Sequence, residues 1–423
     1  MQHLRITLAL ASLASLTAAH AVTLPNVDCA KDKQNARCKL VRSTDAGSMG
    51  DGPTIQQGGF DKIVSAYIDA NKNVLYVAAE LGGNTDTFGA IFSVDLKTGN
   101  RSLISGILPS GDRRGKGVRY TSDHGHTNEA YDLGDVKKIL PLPDGRIAAW
   151  VQSRQQRMEL LAIDPNSGDR SLLWASTFAN DSNKNGLRAL EGGPEGSIGK
   201  QRCVSVDAKD GRVATPGWTI ETDHQGNFYA PAINNPVGTG LGLLKITPGR
   251  GCAWVSGYFE DGLNFVGDGS MILTRSPVML KSTFKDGKYY GVTGPNPSGN
   301  TLFAIDVQSG ERQTISLNAR VSAQSKGKGD AAVGYLGGFA AGPDGFLTAQ
   351  ASTNDDGFAP VLVRWNGDRE RLAATSGPLK SNINDVNWNV LANVPGTKQF
   401  IVSFNTGLFV FDATTGNSYL LSF

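Results

Sequence analysis

One phrase returns six times along this chain, and no other feature restricts its fold as strongly. The phrase is an apolar strand, an Asp, a turn with Gly, a polar pair and a second strand. It reads IFSVDLKTGNRSLIS at 91–105, LLAIDPNSGDRSLLW at 160–174, LFAIDVQSGERQTIS at 302–316 and LFVFDATTGNSYLLS at 408–422. Degenerate copies are LLKITPGRGCAWVSG at 243–257 and VLVRWNGDRERLAAT at 361–375. Ahead of each copy stands a strand pair around a tight turn, as in LPLPDGRIAAWV at 140–151, ETDHQGNFYAPA at 221–232 and AAGPDGFLTAQ at 340–350. Asp-Gly, Gln-Gly and Pro-Gly between alternating apolar runs are hairpin signals. Each unit is therefore four short antiparallel strands, A to D.

Six such units in tandem predict an all-β fold, a six-bladed β-propeller of four-stranded antiparallel blades over 60–423. A single twisted four-stranded sheet cannot bury both of its faces, whereas radial stacking buries each sheet against two neighbours. Composition agrees. With 52 Gly among 423 residues and only 19% charged, the chain is neither a helical bundle nor a disordered polyelectrolyte. A net charge of +2 gives no overall attraction to nucleic acid. Asp95, Asp164, Asp306 and Asp412, with Thr247 and Asn366 in the degenerate copies, are spaced by 69, 83, 59, 60 and 46 residues. The strands are regular, so the excess falls in the connections.

Residues 1–21 read as a signal peptide: Arg5 in the n-region, Ile6 to Leu16 as the apolar stretch and Ala19-His20-Ala21 as the cleavage site. No run is long enough for a membrane span. The expected location is secreted or periplasmic, with 22–59 an N-terminal extension that acts as a lid or pairs at the ring seam. Four cysteines in such a chain point to disulfides. The preferred pairs are Cys29–Cys38, closing a short polar loop, and Cys203–Cys252, tying neighbouring units. There is no CxxC, no CxxCH and no zinc spacing.

The long insertions, 108–134, 177–212, 258–277 and 318–334, all join strand D to strand A, and such joins open on one face around the channel mouth. Segment 113–132 is the richest. His124 and His126, as His-x-His in an extended loop, aim the same way and suit a shared metal, with Asp123 or Glu129 completing the set. Alternatively His124, His126 and Tyr131 act as base and acid, while Arg119 neutralises a substrate carboxylate, as β-elimination from a uronic-acid polymer requires. A polar exposed loop without chemistry is the third reading. Tyr120, Asp123, Glu129, Asn234 and Asn296 are candidate ligand-binding residues on the same face. Asp61, Asp135, Asn384 and Asp385, with Asn387 beside them, stand at or before A strands and form a partial ring suited to Ca²⁺ or another divalent cation. Glu221, Asp223 and His224 fall at an A-to-B turn and are expected on the opposite face. The glycine-rich stretches GDGP at 50–53, GKG at 115–117, GDGSM at 267–271 and GKGD at 327–330 match no nucleotide motif.

The strand-PDG-strand and IDxxSGxR phrases resemble those of secreted and periplasmic propellers, among them the gluconolactonase-like and strictosidine-synthase-like group and TolB-like and NHL-type repeats. The gluconolactonase-like resemblance implies a channel cation held by Glu, Asn, Asn and Asp, to which Asn384 and Asp385 are matching positions. Three functions stay open: a propeller binding a glycan or small molecule, an enzyme (a polysaccharide lyase or a metal-dependent lactone or ester hydrolase), and an envelope scaffold for a protein partner. Fold does not choose among them.

Overall fold

Each sequence unit is one antiparallel sheet in the computed structural model. The structure describes residues 21–39, 49–53, 62–81, 88–117, 133–152, 158–175, 215–233, 241–249, 251–258, 264–269, 272, 281–296, 299–318, 325–329, 338–350, 359–382, 389–404 and 407–422. Blade 1 is β1 (Lys62–Asp69), β2 (Val74–Leu81), β3 (Phe88–Asp95) and β4 (Arg101–Ile107), with β5 (Arg113–Arg114) on its outer edge. Blade 2 is β6 (Asp135–Pro141), β7 (Ile147–Gln152), β8 (Met158–Ile163) and β9 (Arg170–Ala175). In blade 3 the first strand is split into β10 (Thr215–Pro216) and β11 (Glu221–Thr222), both paired with β12 (Phe228–Ile233). That sheet continues through β13 (Leu241–Thr247), β14 (Gly251–Tyr258) and β15 (Asn264–Val266). Blade 4 is β16 (Lys281–Lys285), β17 (Lys288–Asn296), β18 (Gly299–Asp306) and β19 (Arg312–Asn318). Blade 5 is β20 (Phe339–Ala341), β21 (Gly345–Gln350), β22 (Ala359–Arg364) and β23 (Arg369–Arg371). Blade 6 is β24 (Asn389–Asn393), β25 (Gln399–Phe404), β26 (Gly407–Asp412) and β27 (Ser418–Ser422), so it supplies its own outer strand. No helix among the described residues is long and apolar enough to cross a membrane.

First strands of neighbouring sheets lie against one another, β1 against β6 and β24, and β20 against β16 and β24. Strand A is therefore the inner strand and strand D the outer one. The core is divided by seam, because alternate residues of a strand face opposite sides of its sheet. Along β2 and β3, Leu75, Val77, Phe92 and Val94 pack toward blade 6 with Leu408, Val410 and Leu421. Their alternates Tyr76, Ala78 and Ile91 pack toward blade 2 with Ile139, Ile147 and Ile163. Trp150 and Phe228 fill the seam between blades 2 and 3, Tyr289 and Phe303 the next, Phe346 the one after, and Phe400 and Phe409 the last. A strand apolar on both faces is what stacked blades demand, and it explains why the repeats read as near-continuous hydrophobic runs.

The repeated Asp and Gly build the turn between strands C and D. Asp95 Oδ1 accepts from the backbone N–H of Lys97 (3.0 Å) and Thr98 (2.7 Å), and Asp412 Oδ1 from Thr414 (2.8 Å) and Thr415 (3.0 Å). The Arg after that turn holds the ring together. In blade 5, Arg369 donates to the carbonyls of Lys326 (2.7 Å) and Gly329 (2.9 Å) and to Ser316 Oγ of blade 4 (2.8 Å). In blade 4, Arg312 reaches Gly269 O (3.2 Å) and Ser256 Oγ of blade 3 (2.7 Å). Arg170 reaches Ser105 Oγ of blade 1 (3.3 Å), and Arg101 reaches Pro53 O (2.9 Å), Met49 O (3.0 Å) and Ser422 Oγ of blade 6 (2.8 Å). The carbonyl cradles are the glycine-rich stretches. Their backbone carbonyls at Asp51, Lys116, Asp268 and Lys328 also accept the N–H of the same four arginines. These stretches thus do not overhang the channel mouth, as the D-to-A connections were expected to. The chain first runs along the outer strand to its C-to-D-turn end, because an outer strand's exposed edge and a buried guanidinium both need backbone partners there.

Candidate functional site

The described residues bring together charged groups at the end of the inner strands from which the B-to-C and D-to-A connections leave. Glu80, next to last on β2, and Asp135, first on β6, meet there across the seam between blades 1 and 2. Lys137 bridges them: its Nζ lies 3.3 Å from Glu80 Oε1 and donates to the Asp135 carboxylate. Lys137 owes its placement to a bulge. Val136 pairs with Val151 and Lys138 with Trp150, so Lys137 is the extra residue between them. Its ammonium also stands 4.7 Å from the ring centroid of Trp218 in blade 3. Burial and the neighbouring Glu80 carboxyl push the Asp135 carboxyl up to about 7, and Lys137 pulls it the other way. Asp135 keeps a third of its side chain exposed, whereas Glu80 and Lys137 are largely covered. The group can accept hydrogen bonds, donate them through the ammonium, and hold a proton near neutral pH.

One residue further along β6, Lys138 turns to blade 3. Its Nζ is 3.0 Å from Glu221 Oε1 and 3.3 Å from the Ser282 carbonyl of blade 4. Ser282 Oγ donates to Glu221 Oε1 (2.6 Å) and also bonds the Thr219 hydroxyl. Glu221 is 4% exposed, and burial pushes its carboxyl up while Lys138 opposes the shift. This corrects the expected solvated position of Glu221. The A-to-B turn begins two residues later than the pattern suggests, so Glu221 sits on β11 inside the ring. Asp223 and His224 do occupy the turn, with His224 exposed at φ 60°.

Of the expected cation set, Asp135 is the described member, and it is paired with the Lys137 ammonium beside one other carboxyl, that of Glu80. Among the described residues no three His, Cys, Asp or Glu side chains cluster. Asp61, Asn384, Asp385 and Asn387 lie outside the described residues, as do Arg119, Tyr120, Asp123, His124, His126, Glu129, Tyr131, Asn234 and Cys203. Asn296 ends β17 at a B-to-C connection. The Cys29–Cys38 disulfide is present, and Cys252, opposite Ile246 on β14, is disulfide-bonded. Sequence reasoning passed over Glu80, Lys137 and Lys138. The available signal was a Lys pair in an inner strand whose neighbours are Val, Ile and Leu.

No protein-family profile matches the sequence, and no curated protein does. Solved structures resemble it at the level of the fold. TolB from Acinetobacter baumannii is 12% identical over 75% of this chain and 56% of its own, with a TM-score of 0.37. The chain thus spans little more than half the length of that structure. An uncharacterized protein from Listeria monocytogenes is 9% identical over 88% of this chain and 97% of its own, with a TM-score of 0.41. The periplasmic gluconolactonase of Pseudomonas aeruginosa is 12% identical over 82% of this chain and 81% of its own, with a TM-score of 0.37. The class defined by the chain's own sheets is the six-bladed β-propeller.

Proposed function

We propose that this propeller binds a polar ligand, a glycan or a small hydroxylated molecule, at the end of the ring carrying Glu80, Asp135 and Lys137, and that it works in a secreted or periplasmic setting. The observation that carries the reading is the partly exposed Asp135 carboxyl, flanked by an ammonium and a second carboxyl, with the Trp218 indole beside them. Hydroxyl groups need acceptors and donors within one small area. The segment bearing Arg119, His124, His126 and Tyr131 runs directly into Asp135 and would add its donors to the same site.

A second reading, an acid–base enzyme on this face, is favoured by the Asp135 carboxyl lying near 7, where a group exchanges protons most effectively at neutral pH. Calorimetric titration with neutral and uronic oligosaccharides distinguishes the two readings when product formation is followed in parallel. Asp135→Asn and Lys137→Met should each weaken binding about tenfold or more. Unchanged affinity in both variants would move the site elsewhere.

A further inference from the structure

The clasp that joins blade 6 to blade 1 differs from the others in how it is tethered. At three seams the serine that receives the Arg is close in sequence, 65, 56 and 53 residues before Arg170, Arg312 and Arg369. There the first glycine of the cradle follows that serine by only 10 or 11 residues in the chain, so covalent continuity holds cradle and blade together. Arg101 instead reaches Ser422, 321 residues away, and its cradle at 49–53 precedes β1. Continuity cannot hold this cradle against β27.

Residues 21–39 stand in its place. Arg37 Nη1 donates to the carbonyls of Leu420 (2.9 Å) and Leu421 (3.0 Å) on β27, and Nη2 to Thr98 O (3.1 Å) in the β3–β4 turn, so one guanidinium spans the seam. Asn417 of blade 6 accepts from Cys29 N (3.2 Å) and donates to Val27 O (3.1 Å), while Asn73 of blade 1 makes the same pair of bonds with Thr23 (2.7 and 3.0 Å). Cys29 is 2% exposed within the apolar core of this same seam, against which Val22, Leu24 and Val27 pack. The disulfide to Cys38 then joins the end anchored on Asn417 to the end carrying Arg37.

We propose that residues 21–39 are a latch that closes the ring between blades 6 and 1, and that forming the Cys29–Cys38 disulfide sets it. In that step the two thiols give up two electrons and two protons to a disulfide oxidant, which leaves as two thiols, and one S–S bond forms. The closed loop spares Arg37 the entropy of ordering a free segment before it can bridge the seam.

The test is amide hydrogen exchange, followed by mass spectrometry, on the full chain and on Cys29→Ser/Cys38→Ser, which leaves Cys203 and Cys252 untouched. The expected result is about tenfold faster exchange in β27 and in the β3–β4 turn, with β18, β19, β21 and β22 unchanged. Arg37→Gln, with the disulfide intact, should produce the same local pattern and serves if the double variant does not fold. Unchanged exchange in β27, or acceleration spread evenly over all six blades, would overturn the latch. A response in Arg37→Gln with none in the cysteine variant would overturn the disulfide's part in it.

Discussion

Lys137 and Lys138 are neighbours in the chain and serve different seams, and the one-residue bulge decides which seam each of them reaches. Lys137 joins Glu80 and Asp135 toward blade 1, and Lys138 joins Glu221 toward blade 3. The titration of Asp135 has a consequence for stability. Its carboxyl lies at about 7 in the folded chain against an ordinary value of 3.8, so folding favours the protonated form. That contribution is complete below 3.8 and is lost as pH rises through about 7. Asp135→Asn, neutral at every pH, should therefore lose less stability than the parent between about pH 4 and about pH 7, as read from urea midpoints. Identical pH dependence in both proteins would show that Asp135 ionises as freely as in the unfolded chain. Ionisation of this kind is invisible in sequence, where Asp135 is one Asp before a strand. It acquires its environment from Glu80, which is 55 residues earlier.

At the scale of elements, the glycine-rich stretches show how one pattern carries two possible meanings. GKG and GDG match no nucleotide motif, yet they do cradle a charged group, the protein's own arginine. Gly327 has φ +81°, and a Cβ there would stand 2.0 Å from the Gly367 carbonyl oxygen. Gly145, in the β6–β7 turn, has nearly the same φ of +83° with nothing within 4 Å. Gly145→Ala should cost only the left-handed backbone penalty of about 1 kcal/mol. Gly327→Ala adds a backbone collision that displaces the Arg369 cradle and should cost about 3 kcal/mol or more. Thermal melts of the pair would check this, and equal losses would mean that the cradle yields without cost. The phrase IDxxSGxR already contained the arginine and the turn that presents it. What could not be read was the partner, since the accepting groups are backbone carbonyls, which every residue carries.

The whole ring adds a comparison between seams. The residue paired with the final apolar position of strand C (Val94, Ile163, Ile305, Val363, Phe411 and Ile246) is Arg101, Arg170, Arg312 and Arg369 in four blades, Ser418 in blade 6 and Cys252 in blade 3. Cys203 precedes blade 3 by a stretch like those that carry the other cradles. Non-reducing peptide mapping should accordingly find Cys203 linked to Cys252, a covalent clasp where its neighbours use a guanidinium. Any other linkage would break the equivalence.

The sequence by itself determined the number of blades, the four-stranded unit, the hairpin turns and the short disulfide loop. These rest on local chemistry: alternation of apolar residues, Asp and Gly in turns, and cysteines nine residues apart. Tertiary structure alone decided which charges meet. Glu80, Asp135, Lys137, Lys138, Glu221 and Ser282 come from four blades. A bulge of one residue sends a side chain to a different seam, since strand periodicity is only two residues, and a turn that begins two residues later takes Glu221 from the turn into a buried strand. The latch was decided in the same way, because its anchors Asn73, Thr98, Asn417, Leu420 and Leu421 become neighbours only when the first blade meets the last.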